Sequence, residues 1–170
     1  MPSSNIFGSP DRAARLLETH EEPALGAHLV TPWMGYSHHG IYAGDGRVIH
    51  YGALMYDIIR KPVEEVTLAA FAEDRPIFVV LHTEPTLPAE EVIRRARSRL
   101  GEKKYRLLTN NCEHFCEWAL HDVARSFQVE MSLAFPRLMG ERIQMALVRI
   151  AHRLFVRPAR RKAPARINQP

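Results

Sequence analysis

The chain has only two cysteines among its 170 residues, Cys112 and Cys116, four positions apart. A disulfide framework needs more cysteines at wider spacing, so both read as free thiols, which suits a reducing compartment. No stretch of about 18 uninterrupted apolar residues occurs, so no spanning helix is expected. The opening segment, MPSSNIFGSPDRAARLLETHEEP, lacks an apolar core and carries Glu18, Glu21 and Glu22, unlike a signal peptide. Aromatic residues do not interleave with the basic ones as in single-strand nucleic-acid binders, and no nucleic-acid partner is expected. Internal repeats are also lacking.

What remains is an ordinary globular composition, 46% hydrophobic and 25% charged, at a length that suits one core. The net charge of +4 is unevenly spread. Residues 137–170 hold nine Lys or Arg against one Glu, whereas the preceding body is mildly acidic.

Periodicity places β-strands near 27–31, 37–43 and 46–52, with Gly44-Asp45-Gly46 as a hairpin turn. A further strand near 56–61, a short helix within 66–74 and an apolar buried strand near 77–82 follow. A short helix is expected at 11–18, within a loose N-terminal arm. The segment TLPAEEVIRRARSRLG reads as a helix with Pro88 in its first turn, acids before bases, and Gly101 at its end. Another helix begins at Asn110 or Asn111, with Phe115, Ala119, Val123 and Phe127 as its buried stripe. A last helix is expected over about 137–156, where Ile143, Leu147, Ile150, Ala151 and Leu154 gather on one side. Strands first and helices after make the class α+β.

The chemistry concentrates in LLTNNCEHFCEWAL, residues 107–120. With Asn111 as the cap, Cys112 lies in the first helical turn, where unpaired N–H groups favour the thiolate. A thiolate nucleophile needs a base and an orienting group. A tight hairpin brings His38 and His50 to one face as cross-strand neighbours, while His39 points to the other face. Three readings stay open on the residues alone. Cys112 is a nucleophile served by His38 and His50, or an inert buried thiol, or a metal ligand. For a metal, His114 lies about 200° around the helix from its cysteine neighbours, so a zinc set would have to be Cys112, Cys116, His38 and His50. Cys116 reads as core, and Glu113 and His114 as braces of the helix start.

HHGIYAGDGRVIHY followed by NNCEHF resembles the lecithin:retinol acyltransferase family, which includes the HRAS-like suppressor phospholipases and acyltransferases and belongs with the NlpC-like, permuted papain-like enzymes. The resemblance covers roughly residues 24–128. It rests on a His before a G-I-Y-x-G-D strand and turn, a second His twelve residues later, and the N-C-E-H-F box. It implies a permuted papain-like domain with a small antiparallel sheet and a Cys-His-His triad. In that triad Cys112 is the nucleophile, His38 the base and acid, and His50 the group that orients His38. Tyr105 and Asn111 are implied as oxyanion or supporting residues. The implied substrate is a phospholipid or other acyl ester, with neither cofactor nor metal.

The expected layout is an arm at 1–23, a catalytic domain at 24–130 and an amphipathic helix with a basic tail at 131–170. The tail departs from the apolar anchor of vertebrate relatives, and peripheral membrane contact through 137–166 of a cytoplasmic protein is the expectation. A papain-like peptidase or amidase and a non-catalytic interaction module are the alternatives.

Overall fold

The structure, a computed structural model, describes residues 13–33, 36–52 and 62–134. The expected strand near 56–61 and the helix and tail from 137 lie outside them. The elements in chain order are β1 (Ala13–Leu16), β2 (His28–Trp33), β3 (Tyr36–Gly44), β4 (Arg47–Tyr51), β5 (Val63–Thr67), α1 (Leu68–Ala72), β6 (Phe78–Leu81), α2 (Ala89–Ser98) and α3 (Cys112–His121). The six strands form one antiparallel sheet in the order β1-β6-β2-β3-β4-β5. The class is α+β, as expected.

Two expectations are corrected. Residues 13–16 form the edge strand β1, paired with β6, where a helix over 11–18 was expected. Ala14 is the buried member of an alternating stretch and packs with Val30, Phe78 and Val80, so sheet pairing outweighs the local helical tendency. The helix that begins at Cys112 stops at His121 and does not continue to Phe127. Asp122 takes a left-handed φ of 62° and its N–H caps Trp118 O. Val123 is consequently exposed, and residues 127–134 are helical again.

The sheet has two unlike faces. Ile41, Ile49 and Tyr51 pack under α2 and α3 with Val92, Ile93, Ala96, Phe115, Cys116 and Ala119. On the other face Leu29, Tyr42 and Val48 pack with Phe71 of α1. α2 starts after Pro88, with Glu90 and Glu91 in its first turn and Arg95 and Arg97 in its last, an order that complements the helix dipole. Gly101, at φ 82°, follows it.

The β3–β4 hairpin sets which face each histidine takes. Asp45 and Gly46, at φ 50° and 66°, are the central residues of a two-residue turn closed by the pair Gly44–Arg47. Counted from that pair without interruption, His50 would sit opposite Ile41. Ala43 is an extra residue, however, so Tyr42 pairs with Val48, Ile41 with Ile49 and Gly40 with His50. A one-residue shift exchanges the faces of a strand. The bulge thereby puts His50 on the face of His38, Gly40 and Tyr42. His38 and His50 do share a face, and they meet diagonally.

Gly40 lies between these histidines, and a Cβ there would come within 2.5 Å of Val48 Cγ1 and 2.9 Å of Phe71 Cε2. Gly40→Ala is expected to destabilise the fold by about 1–3 kcal/mol, the usual cost of overpacking. Urea denaturation measures this as a lower midpoint; an unchanged midpoint would contradict the packing.

Candidate active site

α3 is built to fix its own start. Asn111 is the N-cap, with its side-chain oxygen accepting from Glu113 N and His114 N at 3.0 Å each. His114 Nδ1 closes the capping box, 2.9 Å from Asn111 Oδ1 and 3.4 Å from Asn111 N. Burial holds the His114 pKa below its ordinary value, which favours the neutral ring. Asn111 Nδ2 donates to Leu107 O at 2.9 Å and Ser126 Oγ at 3.2 Å, so this amide ties the preceding and following loops to the helix start.

Glu113, in the first turn, is almost wholly buried. Its carboxylate accepts from Ser126 Oγ at 2.6 Å and Gln128 N at 3.1 Å. Ser126 in turn caps the segment from 127, accepting from Val129 N. The loop before α3 is held by Glu102, which accepts from Arg99 Nη2 at 2.5 Å, Tyr51 Oη at 3.0 Å and Asn110 Nδ2 at 3.2 Å.

Cys112 lies against the edge of β3. β4 pairs with β3 from Gly40 onward, and beyond that point other groups take the edge. The Gln128 side chain accepts from Ser37 N at 2.7 Å and donates to Ser37 O at 3.2 Å, as a neighbouring strand would. Cys112 Sγ lies 3.9 Å from Ser37 O, and the His39 backbone N–H donates toward it. The thiol thus contacts the backbone on both sides of His38. Next to it opens a cleft of about 180 Å³, lined by Tyr36, Tyr105, Leu107, Leu108 and Val129 among others. Leu107 and Leu108 are 51% and 58% exposed at its mouth.

His38 Nε2 and His50 Nδ1 are 2.7 Å apart, with the rings edge-on. Both rings pack on Phe71, and His38 also approaches Trp33. His50 Nε2 lies 3.5 Å from Glu64 Oε1, its cross-strand partner on β5. With the His50 Nε2 proton directed at that carboxylate, Nδ1 accepts from His38 Nε2–H. The basic lone pair of His38 is then on Nδ1. The imidazole of His38 leaves β3 on the Phe71 face, whereas Ser37 and His39 face α3. His39 has both ring nitrogens engaged, Nδ1 with His28 Nε2 at 2.8 Å and Nε2 with Gln128 Nε2 at 3.0 Å.

The expected thiolate is corrected. Burial pushes the Cys112 thiol up to about 12, and the N–H donors of His39, Glu113 and Cys112 itself do not offset it. The charge of Glu113 pushes in the same direction. Tyr105 lines the same cleft and its ring packs edge-on against Tyr51 at 5.2 Å. Burial, then the neighbouring Cys112, raises its pKa, so the phenol remains a hydrogen-bond donor.

Sequence reading missed three supports. Glu64 is visible only once β5 is paired with β4. Gln128 and Ser126 lie beyond the nucleophile box. The signal for them was Glu113, since a carboxylate on the buried side of a helix start must find donors nearby.

Alkylation of Cys112 in the free protein is expected to accelerate through about pH 10 without levelling, because the thiolate fraction is still rising there. A plateau near neutral pH would contradict the buried, neutral thiol. The carboxyl of Glu102 is held at about 2, first by the Arg99 hydrogen bond and then by Asn110 and Tyr51, against the cost of burial. A depressed pKa contributes stability above the ordinary glutamate value of 4.5, and that contribution is lost as pH falls toward 2. Glu102→Gln should therefore flatten the acid limb of the stability curve measured by urea denaturation across that window.

Comparison with known proteins gives the family of the chain. The lecithin retinol acyltransferase family model matches residues 21–125, which include His38, His50, Tyr105, Asn111 and Cys112. Human phospholipase A and acyltransferase 2 is 27% identical over 123 residues, covering 63% of this chain and 76% of that protein. Rat lecithin retinol acyltransferase is 33% identical over 126 residues, covering 56% of this chain and 53% of its own length. Mouse phospholipase A and acyltransferase 3 is 32% identical over 110 residues, covering 55% and 68%. The chain thus spans about half the length of the rat acyltransferase and more of the phospholipases. With well over half of its residues matched by the family model, the chain belongs to the lecithin retinol acyltransferase family.

Proposed function

We propose that this protein is a thiol-dependent acyltransferase or phospholipase A-type hydrolase acting on lipid esters. The observation that carries the reading is the placement of Cys112, at the capped start of α3 and in a cleft bordered by Leu107, Leu108 and Val129. An apolar mouth beside a nucleophile suits an acyl chain better than a charged peptide. The relatives named phospholipase A and acyltransferase support the same substrate class.

In the proposed reaction His38 takes the Cys112 proton and the thiolate attacks the ester carbonyl. The oxyanion accepts from Tyr105 Oη and the backbone N–H of Cys112, since the N–H groups of Glu113 and His114 are taken by the Asn111 cap. Collapse breaks the ester C–O bond, His38 returns the proton to the departing lysophospholipid alkoxide, and the acyl group remains on Cys112 as a thioester. Water, an amine or an alcohol then gives up a proton to His38 and attacks the thioester, which restores the thiol. His50 orients His38, and Glu64 orients His50. Asn111 is a positioning residue whose amide is used by the cap. Cys112 Sγ already lies against the backbone on both sides of His38, at Ser37 O and the His39 N–H, so the thiol stands beside its proposed base at the β3 edge. The permuted papain-like arrangement is part of this proposal, supported by the nucleophile at a helix start against an antiparallel sheet. Among the described residues no helix is long and apolar enough to cross a membrane. The basic residues of 137–166 would supply attraction to anionic lipid surfaces.

The test is intact mass spectrometry after mixing with phospholipid vesicles, where an acyl-sized adduct is expected on Cys112. Cys112→Ala should abolish adduct and turnover, whereas Cys116→Ala should retain most activity. His38→Ala should cost at least about 10²-fold in rate, the low end for general acid–base catalysis. His50→Gln should cost less than His38→Ala. Full activity in His38→Ala with loss in His39→Gln would sink the assignment of the base and favour the ring on the α3 face.

A further inference from the structure

A second constellation of titratable side chains lies on the α3 face of the sheet, apart from the Cys112 cleft. His28 opens β2, His82 follows β6, and Glu117 stands in the second turn of α3. His28 Nδ1 is 3.1 Å from His82 Nε2 and 3.7 Å from Glu117 Oε1, and one ligand atom from each residue falls within 4.8 Å of the others. Four tetrahedral ligands at zinc bond lengths stand about 3.3 Å apart, and the two measured edges bracket that spacing. We propose that His28, His82 and Glu117 form a binding site for a divalent transition metal of the zinc type.

Three observations support this assignment beyond the convergence. First, the donor set is two imidazoles and one carboxylate, which suits zinc and its neighbours in the first transition row rather than calcium or magnesium. Among the described residues it is the group of histidine, cysteine and acidic side chains that converges, whereas Cys112, Cys116, His38 and His50 do not. Second, each ligand histidine has its other nitrogen held. His28 Nε2 meets His39 Nδ1 at 2.8 Å. His82 Nδ1 meets His121 Nε2 at 3.1 Å, and His121 Nδ1 lies 3.2 Å from Pro85 O. Such outer partners orient metal-binding imidazoles and raise their affinity. Third, an entry path exists. A surface groove lined by Leu25, Gly26, His28, His82 and Pro85 reaches both imidazoles, and three protein ligands leave a fourth position for water.

The ring protons identify what binding changes. The Gln128 amide orientation is fixed by Ser37, so Nε2 donates to His39 Nε2. Without metal the chain then runs in one direction: His39 Nδ1–H to His28, His28 Nδ1–H to His82, His82 Nδ1–H to His121, and His121 Nδ1–H to Pro85 O. A metal takes the lone pair of His28 Nδ1, which moves that ring's proton to Nε2 and reverses the His28–His39 bond. His82 and His121 keep their polarity. The reversal leaves the His39 proton on Nε2, opposite the Gln128 amide N–H, so metal binding costs the His39–Gln128 hydrogen bond while Gln128 keeps its bonds to Ser37.

The test uses the tag-free full chain, titrated with zinc against a chromophoric chelator and with cobalt(II) by visible absorption. The expected result is one ion per chain and a cobalt spectrum of nitrogen and oxygen ligands without a thiolate charge-transfer band. His82→Ala and Glu117→Gln should each weaken zinc binding at least about tenfold, the scale on which even outer partners act, whereas Cys112→Ala and His50→Gln should leave it unchanged. Circular dichroism checks each variant's fold. If His82→Ala unfolds, His82→Asn at the same half-buried position replaces it. No stoichiometric ion, a thiolate band that Cys112→Ala removes, or wild-type affinity in the folded His82 variant would each overturn the site.

Discussion

The arrangement depends on the parity of one hairpin. Ala43 adds a single residue to β3, and that residue decides which side of β4 faces which layer. It directs Ile49 and Tyr51 into the core under α2 and α3, and it directs Val48 and His50 to the layer of Tyr42 and Phe71. Packing and chemistry are specified by the same shift. A register slip would bury His50 against α3 and expel Ile49 from the core. The hydrophobic cost of that exchange protects the short contact between His38 and His50 better than the hydrogen bond itself, because a single net hydrogen bond is worth only about 1 kcal/mol.

The second constraint is the truncated pairing of β3. Had β4 continued alongside it, the edge near Ser37 and His39 would be filled by backbone. The edge is instead completed by side chains from the far end of the described fold, Gln128 and Cys112. That explains the length of the network behind α3. Asn111, Glu113, Ser126 and Gln128 form one connected set, so the helix start, the following loop and the strand edge are fixed together. The same set surrounds the thiol with protein and keeps it neutral.

Much of this was legible in the sequence. The alternation of β2 to β4, the Gly44-Asp45-Gly46 turn, the cap at Asn111 and the core role of Cys116 follow from local rules, whereas the expected shared face of His38 and His50 depends on a bulge that those rules do not show. The bulge at Ala43 was hidden because a one-residue insertion leaves no compositional trace. β1 was misread because four residues carry too little periodicity to outweigh a helical reading, and its strand character comes from a partner more than sixty residues away. The end of α3 was misread because Val123 and Phe127 continue the apolar spacing past Asp122, whose left-handed backbone is a local event. The thiol's protonation was misjudged because helix-start donors are visible in sequence and burial is not. The grouping of His28, His82 and Glu117 joins three segments that no spacing rule connects.

The Gln128 side chain has one more consequence. A strand edge with free N–H and C=O groups is a template on which another extended chain can add itself. At Ser37 that template is shielded by one amide, and no neighbouring strand covers it among the described residues. Beside the Cys112 cleft the sheet edge is therefore covered by a side chain and not by a strand. One glutamine thus stands in for a strand: a change that removed the Gln128 amide would uncover the Ser37 N–H and C=O as an adhesive edge.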